Sequence, residues 1–206
     1  MIKIELKEIE QWVKHNPDEW KALTQRFIEM DTTISNEDIA RIYIGYTFTD
    51  DYDSFGEDWI QIYAISLNTD KIGDALDMAW QSHCKNPFNL DILNFMVSRV
   101  PQQHELWRIL AWHFAKLMRG ILATGSGENA ENAISVTCVD DEYLVMKNAL
   151  EIDNIESQRL VVNDKGTYDV FRVSPSALYP HDEVWMDIGA SKSLQTQYLN
   201  SLRQRK

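Results

Sequence analysis

The spacing of the apolar residues changes once along the chain, and that change limits the fold more than any motif does. Up to Leu122 apolar side chains recur at three- and four-residue intervals; beyond the segment ATGSGENA they fall in short β-branched runs with a period near two. The first spacing lines one face of a helix and the second lines one face of a strand. The expected fold is therefore α+β and mainly α. A helical part over 1–125 is expected to be followed by an α+β part over 126–206, packed together as one unit. A length of 206 residues suits one domain with a substantial addition, against a prior of ~150 residues per domain.

Local signals divide the first part into seven helices. Leu6, Ile9, Trp12 and Val13 share a face, and Asn16-Pro17 ends that helix and opens the next, which carries Trp20, Leu23 and Phe27. Ser35 with Asp38 three residues on predicts the start of a third helix, buried through Ile39, Ile42, Tyr43 and Tyr46. Trp59, Ile62 and Tyr63 predict a fourth helix, Ile72 to Trp80 a fifth, and Leu90, Leu93 and Val97 a sixth that ends before Pro101. The seventh, 106–122, is apolar around most of its circumference and is expected at the centre. Beyond it, strands are expected over 134–139, 158–162, 168–173 and 183–188, with the turn NDKG joining the middle two. They would form a small antiparallel sheet. A helix over 142–150 and a C-terminal helix capped by Ser191 and ending in RQRK complete the reading.

The pair Asn16-Pro17 recurs as Asn86-Pro87, 70 residues on, with apolar residues at matching offsets. That distance is close to two tetratricopeptide periods, and Trp59, Ile62, Ala75 and Pro87 fall at that repeat's spacings. Helical hairpins of tetratricopeptide type are expected, with departures at Tyr63 and Ala79.

Chemical motifs are sparse. Gly125-Ser-Gly127-Glu-Asn-Ala130 matches a dinucleotide fingerprint but follows a helix instead of a strand, so it reads as a turn. The loop carrying Asp50, Asp51, Asp53, Glu57 and Asp58 lacks the glutamate of a calcium-binding loop, since Ile62 stands in its place. His15, His83, His104, His113 and His181 show no metal-ligand spacing, and Cys84 and Cys138 have no C-x-x-C partner, so neither a metal nor a cofactor is expected. Asp140, Asp141, Glu142 and Tyr143, together with His181 and Asp182, are the only acid–base candidates, with Asp140, Asp141 and His181 foremost. Arg108, Trp112, Lys116 and Arg119 fall in one sector of the seventh helix, where they would hold an anionic group of a partner or pair with acidic neighbours.

Charge narrows the choice of partner. Twenty Lys and Arg against 32 Asp and Glu leave −12, which disfavours nucleic acid and favours a basic protein. No stretch approaches the ~18 apolar residues of a membrane span, and two unpaired cysteines suit a reducing compartment.

In WKALTQRFIEMDTT, IARIYIGYTF, KNPFNLDILNFM, RGILATGSGENAENAISVTCVDDEYLVM, SQRLVV, YDVFRV and EVWMDI the chain resembles the bacterial family called domain of unknown function 4919. The resemblance spans nearly the whole chain and implies a tetratricopeptide-like front and a β-containing end. It implies no activity, substrate or catalytic residue. Family members often begin with a secretion signal, whereas MIKIELKEIEQW carries charge at every second or third position, so the expected address is cytoplasmic. The expected function is non-enzymatic protein binding, with inhibition of a basic toxin or nuclease as a special case. The alternative is a hydrolase or transferase using carboxylates and His181.

Overall fold

The computed structural model describes residues 2–3, 5–52 and 57–191. The helices of the first part are α1 (Leu6–His15), α2 (Pro17–Ile28), α3 (Asn36–Tyr46), α4 (Glu57–Ser66), α5 (Ile72–Lys85), α6 (Leu90–Arg99) and α7 (Glu105–Leu122). The second part holds β1 (Ile134–Ser135), α8 (Val139–Ala149), β2 (Ile155–Val162), β3 (Thr167–Val173) and β4 (Glu183–Asp187).

Helix ends follow the capping chemistry. Ser35 and Asp38 form both halves of a capping box at α3, satisfying two amides that a helix start otherwise leaves bare. The two Asn-Pro pairs differ. Pro17 occupies the first turn of α2, whereas Asn86 ends α5 and its side chain accepts from the Phe88 amide, leaving Asn89 to cap α6. Met30 closes α2 with φ +57°, a left-handed position usually filled by glycine. The bonds Met30 N–H to Phe27 O and Asp31 N–H to Arg26 O complete that turn.

The strands form one sheet in the order β1-β4-β3-β2. The β2–β3 hairpin and the β3–β4 pair are antiparallel, but β1 runs parallel to β4, so the sheet is mixed instead of purely antiparallel. Parallel neighbours need a long crossover, supplied here by α8 and the β2–β3 hairpin. The first strand is also shorter than expected: after Ser135 the chain turns into α8, whose first turn carries Asp140, Asp141 and Glu142. Carboxylates are favourable at a helix N-terminus, so this triplet starts the helix before position 142.

One buried cluster runs from Ile9 in α1 to Ala190 and takes in residues of both parts of the chain. As expected, α7 is central, packing on α3, α6 and β1, with Leu110, Leu117 and Ile121 fully buried. The α4–α5 hairpin places Ile62 and Ala75 in the core. The seat of α7 on α3, a distant helix in sequence, is not a contact between neighbouring repeats, and the α4–α5 hairpin by itself does not establish tetratricopeptide packing. Residues 189–191 are helical, and the RQRK end lies outside the described residues. Among the described residues no helix is long and apolar enough to cross a membrane.

The α3–α7 crossing depends on Gly120. A Cβ there would stand 2.8 Å from Ile39 Cβ, nearer still to Ile39 Cγ2, and 3.2 Å from the Ala40 nitrogen. Gly120→Ala is expected to destabilise the fold by ~1–3 kcal/mol in urea denaturation, because overpacking outweighs the helix-propensity gain. A stability gain would contradict this packing.

Candidate functional site

The cationic sector of α7 divides in the structure. Lys116 turns onto the start of α3, its Nζ donating to Ile34 O at 2.6 Å and to Asn36 Oδ1 at 3.3 Å. It therefore holds the segment that leads into α3. Trp112 packs against Phe27 and His113, with ring centroids 5.9 and 5.4 Å away. Arg108 and Arg119 are exposed, and neither makes an ion pair with a described residue. Arg108 and Trp112 meet Met30, Thr32, Glu105 and Ile109 around a pocket of about 310 Å³. The turn on its other side is held by Asp31, which accepts from Arg26 Nε at 2.7 Å and from the Thr33 amide and hydroxyl. Those bonds hold the Asp31 carboxyl at about 2.

A second surface lies on the α4–α5 hairpin and was not anticipated. Ile62 is buried, but its neighbour Tyr63 is 55% exposed, and Ile60 and Leu67 are 62% and 69% exposed. Adjacent helical positions point about 100° apart, which lets Ile62 face the core while Tyr63 faces outward. The same hairpin exposes Asp70, Asp74 and Asp77.

The acid–base candidates are separated. Asp141 is buried at the start of α8, where Oδ2 accepts from Tyr43 Oη at 2.5 Å and from Thr137 Oγ1 at 3.1 Å. Tyr43 Oη in turn accepts the Thr137 amide at 2.9 Å. Burial raises the Asp141 carboxyl to about 6 despite these bonds. Asp140 is exposed. His181 lies elsewhere, with Nε2 3.5 Å from Glu128 Oε1 and its ring on Tyr179. The structure does not bring His181 into contact with either aspartate.

Glu142, also among the acid–base candidates of the sequence, is the most buried acid of the described residues. It is 0% exposed, and neither carboxyl oxygen has a hydrogen-bond partner among the described residues. Burial, then the charges of Asp169 and Asp141, push it to about 9. Asp91, on α6, rises to about 7 through burial and the charges of Asp140 and Asp141. Asp91, Asp140, Asp141, Glu142 and Asp169 thus lie near enough to raise one another's affinity for protons.

Two buried imidazoles form the other titratable pair. His113 Nε2 lies 3.2 Å from both Phe27 O and Ile28 O, so that nitrogen carries the proton. Its ring centroid is 5.4 Å from that of His83, which burial and His113 lower to about 4. Among the described residues no group of three His, Cys, Asp or Glu could hold a metal ion. Asp53 and Gly56 of the acidic loop lie outside the described residues. Gly127 serves its turn at φ +80°, its carbonyl accepting from the Trp185 amide and from Tyr179 Oη, which is the work of a connecting loop.

A family model matches residues 7–197. The chain belongs to the family described as Domain of unknown function (DUF4919). No curated protein and no solved structure matches it.

The buried acids and imidazoles give this DUF4919 chain a specific pH dependence. Between 4.5 and about 9 the folded chain keeps a proton on Glu142 that the unfolded chain releases, so stability falls as pH rises through that window. His83 acts oppositely: between 6.5 and about 4 the unfolded chain binds the extra proton, so stability falls as pH drops. Asp91 and Asp141 complete their contribution by about 7 and about 6. From roughly pH 7 to 8.5, chemical denaturation should show stability falling by up to ~1.4 kcal/mol per pH unit, with Glu142→Gln removing most of that slope. A wild-type profile that is flat over this range would contradict the assignment.

Proposed function

We propose that this chain is a non-enzymatic protein-binding module that takes a basic partner segment on the outer face of the α4–α5 hairpin. The observation that carries this reading is the exposed row Ile60, Tyr63 and Leu67. Ile60 and Tyr63, three residues apart, share one face of α4 and Leu67 follows its last residue, and large exposed apolar side chains of this kind mark a surface suited to cover by another chain. Asp70, Asp74 and Asp77 on the same hairpin select a partner that offers cations beside its apolar residues. The net charge of −12 would steer such a partner at long range. Inhibition of a basic toxin or nuclease, as an immunity-type protein does, is one form of this activity.

The pocket beside Arg108 and Trp112 supports a second contact. Met30, Ile109 and Trp112 offer an apolar seat and Arg108 a guanidinium, which suits an apolar side chain next to a carboxylate. A hydrolase or transferase built on Asp140, Asp141 and His181 has less support. Asp141 is held by Tyr43 and Thr137, while His181 stands beside Glu128.

Immobilised wild-type chain is expected to retain a basic protein that elutes as salt rises from about 50 to about 500 mM. A Tyr63→Ser, Leu67→Ser double variant should retain at least ten-fold less with an unchanged thermal midpoint, since both positions are exposed. Equal retention by the double variant, or no stoichiometric partner in any condition, would overturn the proposal.

A further inference from the structure

A cavity lies away from both surfaces, at the end of the sheet where β1 meets β4. It encloses about 600 Å³, within the range of small-molecule sites. Its floor is a row built by strand register. Ser135 on β1 pairs with Asp187 on β4, and Asp187 pairs with Tyr168 on β3. Register partners point to the same face with Cβ atoms about 5 Å apart, so the three side chains stand side by side.

Each of the three has unused hydrogen-bonding capacity. Ser135 Oγ and Tyr168 Oη make no hydrogen bond to a described residue, although both residues are buried. Asp187 spends one oxygen, Oδ1, on the Gly189 amide at 2.8 Å, and Oδ2 has no partner among the described residues. The described cations that line the cavity are paired with other carboxylates: Lys165 Nζ lies 2.6 Å from Glu131, and Lys3 Nζ lies 2.7 Å from Glu5. An unpaired carboxylate between two free hydroxyls calls for a cation that also carries hydroxyl groups. The neighbouring wall is fixed, because Thr124 Oγ1 donates to Ile121 O and accepts the Ser135 amide.

We propose that this cavity binds a small amino alcohol, with the ammonium on Asp187 and hydroxyl groups on Ser135 and Tyr168. The carboxylate supplies a charge-assisted bond, and each hydroxyl both donates and accepts. The ion pairs Lys165–Glu131 and Lys3–Glu5 border the opening as neutral pairs, so they neither repel the ammonium nor replace it.

The probe is glucosamine, with glucose as the uncharged control, followed by amide chemical shifts of the full chain. Glucosamine should give saturable shifts centred on Ser135, Tyr168 and Asp187, with at least ten-fold higher affinity than glucose. Asp187→Asn keeps an acceptor for the Gly189 amide and should erase the difference between the two probes. Ser135→Ala, a smaller change, should weaken glucosamine several-fold without altering the spectrum of the free protein elsewhere. No saturable shift with glucosamine, equal affinity for glucose, or a difference that survives Asp187→Asn would each overturn the proposal.

Discussion

The close crossing of α3 on α7 is the contact on which the remaining structure depends. Gly120 lets the backbones approach until Ile39 and Ala40 fill the space that a side chain would occupy. Around that point α7 makes two further attachments. His113 donates to the last carbonyls of α2, and Lys116 donates to the carbonyl of Ile34 ahead of α3. Both satisfy carbonyls outside the regular helical ladder, where a missing partner is costly. The turn between α2 and α3 is thereby held from the α7 side, and the pocket lined by Met30, Arg108 and Trp112 follows from it.

From α3 the constraint passes to the second part of the chain. Tyr43 donates to Asp141 at the start of α8 and accepts the amide of Thr137, so one phenol sets where β1 ends and the helix begins. With β1 fixed, its parallel partner β4 brings Asp187 beside Ser135, and β3 adds Tyr168. The sheet-end cavity is thus a consequence of the helical packing. The buried acids Glu142 and Asp141 weigh against stability at neutral pH.

Much of this architecture was legible in the residues. Seven helices follow from apolar spacing, Pro17 and the Ser35–Asp38 box, because those signals are local. The β2–β3 hairpin follows from alternation around NDKG. Non-local features were not legible. The parallel β1–β4 pair depends on a crossover about fifty residues long by sequence number, and the Ser135–Asp187–Tyr168 row exists only once register is known. Val136 to Val139 looks like strand, yet the carboxylates that follow it start a helix. Lys116 fell in the right sector of α7, but its long side chain folds inward to a carbonyl, which spacing alone does not reveal. Tyr63 has an apolar helical neighbour on either side of its face, and only the packed structure separates the buried Ile62 from the exposed row.

Native-state hydrogen exchange tests the primacy of the α3–α7 crossing most directly. If these two helices hold the rest together, their central amides, around Tyr43 and Leu117, should exchange only through global unfolding, while α4 and α5 open at lower free energy. Amides of α7 that exchange through a partial opening, with α4 and α5 still protected, would contradict the account.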